Sequence, residues 1–320
     1  MFQNNKIAKK NSLKNSLNKR SDITVKLYNR KTKRVEDEII FQLGAIKFLY
    51  INTFGKLIMS LLLKRRFVSK LIGLQKRSPA SKRDILPFIK KYNICVDEIE
   101  KPLESFNSFN EFFIRTLKNG ARKVDYNPKS LISPADSRVL AYDIKNDTVI
   151  PVKGINFTIF ELLKNRELAA KYIDGKCIIF RLAPVDYHRF CYVDEGLQEG
   201  IVPINGKLHS VNMLALASGI KVFQENYREY CVLKTKNYRE VVHIDVGAIG
   251  IGRIKQHHID GCNFKKGDEK GYFEFGGSTI ILLFERDTIE IDLDIMEHSK
   301  RSIESLVEYG SKIGRSIMRK

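Results

Sequence analysis

The sequence predicts an α+β protein, with a basic N-terminal helical region packed on a mostly antiparallel, barrel-like β-sheet domain. Three observations carry that reading. Apolar residues at helical spacing crowd the first third of the 320-residue chain. Beyond about residue 125, short β-branched runs between Gly, Asp and Asn turns take over, as in "CIIFRLAP", "CVLKT", "EVVHIDVGAIGIGRI" and "TIEIDLDI". The length allows one large core with a smaller helical part beside it.

Residues 1–25 are Asn, Lys and Ser with isolated apolar residues. They lack the continuous apolar core of a signal peptide and read as a flexible basic arm. Residues 26–125 read as a helical, membrane-interface region. Between Ile39 and Leu74, Lys47, Lys56 and Lys64-Arg65-Arg66 break up the apolar residues. No stretch approaches the roughly 18 apolar residues of a spanning helix. Leu57, Ile58, Leu61, Leu62, Phe67, Val68, Leu71 and Ile72 recur at helix-like spacing among basic residues. That pattern suits helices lying in a membrane interface, where Lys and Arg stems snorkel toward headgroups. It equally suits helices packed on the rest of the protein, and both readings stay open. "SFNSFNEFFIRTLKNGARKVD" (105–125) reads as a capped helix, with Ser or Asn ahead of Glu111 and Gly120 near its end. Residues 126–320 form the β-rich domain, interrupted by one helix from about Thr158 to Tyr172.

A net charge of +19 favours an anionic partner, either nucleic acid or an acidic membrane surface. A Lys/Asn/Ile-rich compositional bias accounts for the excess equally well. No nucleic-acid recognition module is present in the sequence, so nucleic acid is not expected as a partner. Five scattered cysteines without a CxxC argue against a disulfide framework and fit a reducing cytoplasm. His188 and Cys191 have HxxC spacing but no second pair accompanies them, and His257-His258 stand apart from any ligand cluster, so no metal is expected. "GAIGIG" lies inside an apolar β run without a following helix, unlike a dinucleotide loop.

Individually, the chemical candidates are modest. Asp136 in "SPADSRV" suits a turn, and His188 in "APVDYHRFC" lies among aromatics, where histidine is commonly structural. "FEFGGSTIILLFE" is odder. Gly276 and Gly277 break the chain directly before Ser278 and an apolar run that wants burial.

Together and in chain order, "SPADSRV", "APVDYHRF", "GKLHSVN", "ENYRE", "DVGAIGIGRI" and "KKGDEKGYFEFGGST" resemble the phosphatidylserine decarboxylase proenzyme family. The resemblance covers about residues 95–297, and "FNEFFIRTLKNGARKVD" looks like that family's final N-terminal helix. It implies self-cleavage between Gly277 and Ser278. Ser278 Oγ attacks the Gly277 carbonyl, the ester eliminates, and dehydroalanine hydrolyses to a covalent pyruvoyl group and ammonia. The glycines let the backbone bend so that Oγ reaches the preceding carbonyl. The pyruvoyl group then forms a Schiff base with phosphatidylserine and yields phosphatidylethanolamine, without metal or pyridoxal phosphate. The same resemblance implies a peripheral enzyme on the cytoplasmic side of the cell membrane, bound to an anionic surface. Its two cleaved chains stay associated, and homo-oligomerisation is left open.

The chain departs from the family pattern at two positions. The family carries two histidines three residues apart, the second paired with the aspartate of "SPAD" as the base that activates the serine. Here the first is His188, implied to position the substrate carboxylate or protonate the product carbanion. The second is Cys191, and Asp136 is followed by Ser137 in place of glycine. A thiol is mostly protonated at neutral pH and is a poor base. The alternative reading is therefore a non-processing, non-catalytic homologue that binds anionic lipid.

Overall fold

The run that begins at Ser278 becomes the middle of the molecule. The strand Ser278–Phe284 pairs antiparallel with Arg239–Val246 on one side and with Lys176–Leu182 on the other. The computed structural model describes residues 25–38, 44, 66–145, 150–152, 155–209, 222–248, 253–276 and 278–318. Alternate residues of the strand serve opposite faces. Ile281 and Leu283 join the apolar cluster with Leu140, Ile179 and Val242. Ile280, Leu282 and Phe284 join Val139, Phe180 and Val241 on the other side. Both faces are covered, which is why its stretch Ile280–Phe284 is uninterruptedly apolar instead of alternating with polar residues.

Eleven strands form this sheet. Its order runs from the edge strand Cys262–Phe264 through Gly196–Gln198, Arg228–Thr235, Arg239–Val246, Ser278–Phe284, Lys176–Leu182 and Ser137–Asp143 to Glu304–Val307, Val25–Asn29 and Arg34–Glu38. Val202–Ile204 pairs with Arg228–Thr235 off that path. Every pairing is antiparallel except Val25–Asn29 with Glu304–Val307. Among the described residues the order has two open ends, so the sheet does not close into a barrel. A second sheet of three strands, Ile254–Gln256, Glu269–Phe273 and Arg189–Cys191, carries His188 and Gly276 at its margins. The helices Arg66–Arg77, Ile85–Tyr92 and Phe109–Phe113 share an aromatic cluster that includes Phe88, Phe109, Phe112, Phe113 and Phe275.

The segment 26–125 is not helical throughout. Val25–Asn29 and Arg34–Glu38 form a hairpin whose turn is capped by Asn29 Oδ1, which accepts from Lys31 N at 3.0 Å. Tertiary partners decide this. Leu27 is buried, and Glu38 accepts from Arg138 Nε at 2.6 Å and Arg181 Nη2 at 2.8 Å. The expected helix within 105–125 spans only Phe109–Phe113, capped by Ser108, whose Oγ accepts from Glu111 N at 3.2 Å. The expected helix 158–172 is two helices, Ile159–Leu163 and Arg166–Ala170. Left-handed Lys164 ends the first and Asn165 caps the second. Of the acids of "EIDLDI", only Glu290 lies on a strand face. The strand Ile289–Ile291 stops, and Asp292 and Asp294 open the helix Leu293–Lys300 and bind Arg30. Most of the basic arm, and the apolar segment from 39 to 65 apart from Gly44, lie outside the described residues.

Candidate active site

Ser278 is the first residue of the central strand and is fully buried. Its Oγ has no hydrogen-bond partner among the described residues, and neither does Thr279 Oγ1. An enclosed, unpaired hydroxyl costs about 1–3 kcal/mol, which folding alone gives no reason to incur. Gly276 holds φ at 142°, a region that side-chain-bearing residues rarely adopt, so the bend ahead of Ser278 depends on glycine. Gly277 lies outside the described residues. The chain just ahead of the bend is anchored twice. Phe275 N donates to Asn110 Oδ1 at 3.0 Å, and Glu274 pairs with Arg77. The Phe275 ring packs edge-on against Phe109 and Phe113.

His188 is aimed at this bend. Its backbone carbonyl accepts from Phe273 N at 2.9 Å, and its ring lies 4.0 Å from the Phe113 ring, centroid to centroid. Nδ1 is 2.9 Å from the Asp186 carbonyl oxygen. A carbonyl only accepts, so Nδ1 carries the proton and Nε2 presents a lone pair. Nε2 is enclosed and has no hydrogen-bond partner among the described residues. Burial pushes the imidazole pKa down to about 3, with the charges of Arg115 and Arg138 adding to the shift and the carbonyls of Asp186 and Gly276 opposing it. His188 is therefore a neutral base at any ordinary pH. The loop that holds it is itself clamped, because Asp186 accepts from Ala183 N at 2.6 Å and pairs with Arg138.

Asp136 and Cys191 do not form the pair that the resemblance implies. Asp136 is gripped by Arg122, with Nε to Oδ1 at 2.9 Å and Nη2 to Oδ2 at 2.7 Å, and accepts from Tyr309 N at 2.8 Å. Cys191 is fully buried, with Sγ 3.9 Å from the Ser133 carbonyl oxygen. Among the described residues no hydrogen bond joins the two. Burial pushes the thiol up to about 12, despite an opposing contact from Tyr309. Ser137 starts the strand Ser137–Asp143 without the positive φ that would demand glycine.

Two arginines that the sequence reading passed over complete the surroundings. Arg122 takes the carboxylate of Asp136. Arg115, two residues beyond the Phe113 that packs on His188, is 6% exposed. Nothing local marks either arginine. A basic residue in a basic segment reads as solvated until the fold encloses it.

Chemically, the arrangement offers a hydroxyl poised behind a glycine bend, a neutral imidazole directed at that bend, and dry surroundings. These are the elements of an intramolecular acyl shift. Comparison with known proteins bears on the chemistry beyond that shift. The family model described as phosphatidylserine decarboxylase matches residues 109–315. A phosphatidylserine decarboxylase proenzyme of Fusobacterium nucleatum is 43% identical over 291 residues, 91% of this chain and 97% of the relative. Proenzymes of the same name from Clostridium novyi and Clostridium beijerinckii are 44% and 42% identical, each over 92% of this chain and 100% of their own length.

Proposed function

The chain belongs to the phosphatidylserine decarboxylase family, and from that premise we propose that it is a self-processing carboxy-lyase that converts phosphatidylserine to phosphatidylethanolamine. The observation that carries the proposal is the pair of enclosed atoms without hydrogen-bond partners among the described residues, Ser278 Oγ at the end of the Gly276 bend and His188 Nε2, whose imidazole the Gly276 backbone reaches. In this reading Nε2 takes the Ser278 proton as Oγ adds to the carbonyl of residue 277. Cys191 contributes no base, because a thiol with pKa about 12 is ionised to only about one part in 10⁵ at pH 7. Asp136 acts as an anchor between Arg122 and the backbone of Tyr309.

The residues around Ser278 suit a pyruvoyl group made in place. The position is dry, and the strand beyond it is held on both flanks, so the new terminus has nowhere to drift. Such a group supplies a carbonyl that takes up the substrate amine and accepts electrons as carbon dioxide departs. Around it, Phe113 and Phe275 exclude water, and His188 offers the only imidazole described beside the bend for moving a proton.

The same reading places the enzyme peripherally on the cytoplasmic side of the cell membrane. No helix among the described residues is long and apolar enough to cross a bilayer. Leu71, Leu74 and Leu86 are about half exposed on the N-terminal helices, with Lys90 and Lys91 in the last turn of Ile85–Tyr92. That combination suits an anionic surface.

Intact-mass analysis of the purified protein tests the proposal. Two chains are expected, the smaller starting at residue 278 with a pyruvoyl terminus, and S278A is expected to give one uncut chain. A wild-type preparation that stays one chain would support the non-processing reading instead.

A further inference from the structure

Arg115 is a buried cation that forms no salt bridge with any described residue. Among the described residues its sole hydrogen bond runs from Nη1 to the Phe112 carbonyl oxygen at 3.4 Å, at the long limit for such a contact. Its Nε is enclosed with no partner, and its guanidinium carbon lies 5.0 Å from the centre of the Phe112 ring. The anion that most supports its charge, Asp136, is committed to Arg122 and the Tyr309 backbone. Burial lowers Arg115 to about 10, which still leaves it charged at neutral pH. An enclosed, unpaired charge is among the costlier features a fold can keep.

Its surroundings suggest why it is kept. The Arg115 charge acts on His188 and is felt alongside Tyr187 and Asp186. Phe113, two residues earlier, packs on the His188 ring. An anion received by Arg115 would therefore lie within electrostatic reach of the imidazole near the Gly276 bend.

We infer that Arg115 is the receptor for the phosphate diester of the lipid headgroup; this rests on the decarboxylase reading. The headgroup offers two anions, and the chemistry selects between them. A guanidinium clamped on the carboxylate would stabilise the ground state and lose its partner as carbon dioxide leaves, which slows the step. The phosphate diester persists unchanged from substrate to product, so a firm grip on it is neutral toward the bond that breaks. Two non-bridging phosphate oxygens also match the planar fork of a guanidinium.

The test uses R115M, which keeps length and loses charge. Processing is scored first by intact mass. With short-chain phosphatidylserine, KM is expected to rise about 10- to 150-fold, the cost of a lost hydrogen bond to a charged group, while kcat stays within about threefold. Competitive inhibition by glycerophosphoethanolamine, a phosphate diester without a carboxylate, should weaken by the same factor. Inhibition by L-serine, a carboxylate without phosphate, should not change. The melting temperature should hold or rise, since an unpaired buried charge has been removed. Equilibrium binding of glycerophosphoethanolamine to S278A and to S278A/R115M repeats the comparison without turnover, so failure of wild-type processing sinks the decarboxylase reading separately. Unchanged glycerophosphoethanolamine binding overturns the inference. So does weakened L-serine inhibition in its place, or an R115M chain that cannot fold, which would mark the arginine as structural.

Discussion

An imidazole with one nitrogen committed to a carbonyl and the other without a hydrogen-bond partner among the described residues suits one job over a defined pH range. Because burial lowers His188 to about 3, maturation should show no acid limb near the ordinary histidine pKa of 6.5. Its rate, followed on denaturing gels, is expected to vary by less than about threefold between pH 5 and 8. H188A should leave the chain uncut over days. C191A should mature within about threefold of the wild-type rate, since a thiol held near 12 donates nothing to base catalysis. A halt in C191A with normal cutting in H188A would reverse the assignment. Stability carries the same signature. The unfolded chain takes up a proton at this histidine below about pH 6.5 and the folded one only near 3, so folding stability falls across that window by up to about 1.4 kcal/mol per pH unit.

The edge strand Arg34–Glu38 matters more than its exposed residues suggest. Glu38, at its end, ties Arg138 and Arg181 together, and those two continue to Asp186 and Glu304. Burial alone would raise the Glu38 carboxyl, but the charges of Arg181 and Arg138 outweigh it and hold the pKa below its usual 4.5. Its stabilising share is thus full above about pH 4.5 and is lost as pH falls through the lower folded value. E38Q leaves both arginines short of an anion inside the protein. It should destabilise by about 1–3 kcal/mol in urea titration, since Asp186 and Glu304 still pair with the arginines. Maturation should slow as well, because Arg138 and Asp186 hold the loop that aims His188. A variant with normal stability but slow cutting would mean that the network tunes the site without supporting the fold.

For the whole molecule, the proposed scission at 277–278 would divide the chain through the sheet without dividing the sheet. Ser278–Phe284 stays laddered to Arg239–Val246 and Lys176–Leu182, and Glu304–Val307 stays paired with Ser137–Asp143 and Val25–Asn29. The two products should co-elute in size exclusion without denaturant and separate only once unfolded. Membrane attachment belongs to this scale too. L71S/L74S/L86S should weaken binding to anionic vesicles by at least about tenfold in flotation assays and leave cutting intact, since those side chains face outward. Unchanged flotation would move the attachment elsewhere.

Local chemistry by itself determined the change from helix-spaced to β-branched segments near residue 125 and the need for glycine ahead of Ser278. Both rest on properties a residue carries wherever it goes, such as β-branching or a missing Cβ. Ser278 and His188 were singled out by the order of motifs along the chain and their resemblance to a family. Only the tertiary structure decided that Val25–Asn29 would be a strand, that Asp136 would answer to Arg122 instead of position 191, and that Arg115 would be enclosed without a salt bridge among the described residues. Those outcomes depend on which distant groups arrive at the same place. A charge or a strand edge has no fixed energy until its neighbours and its access to water are set.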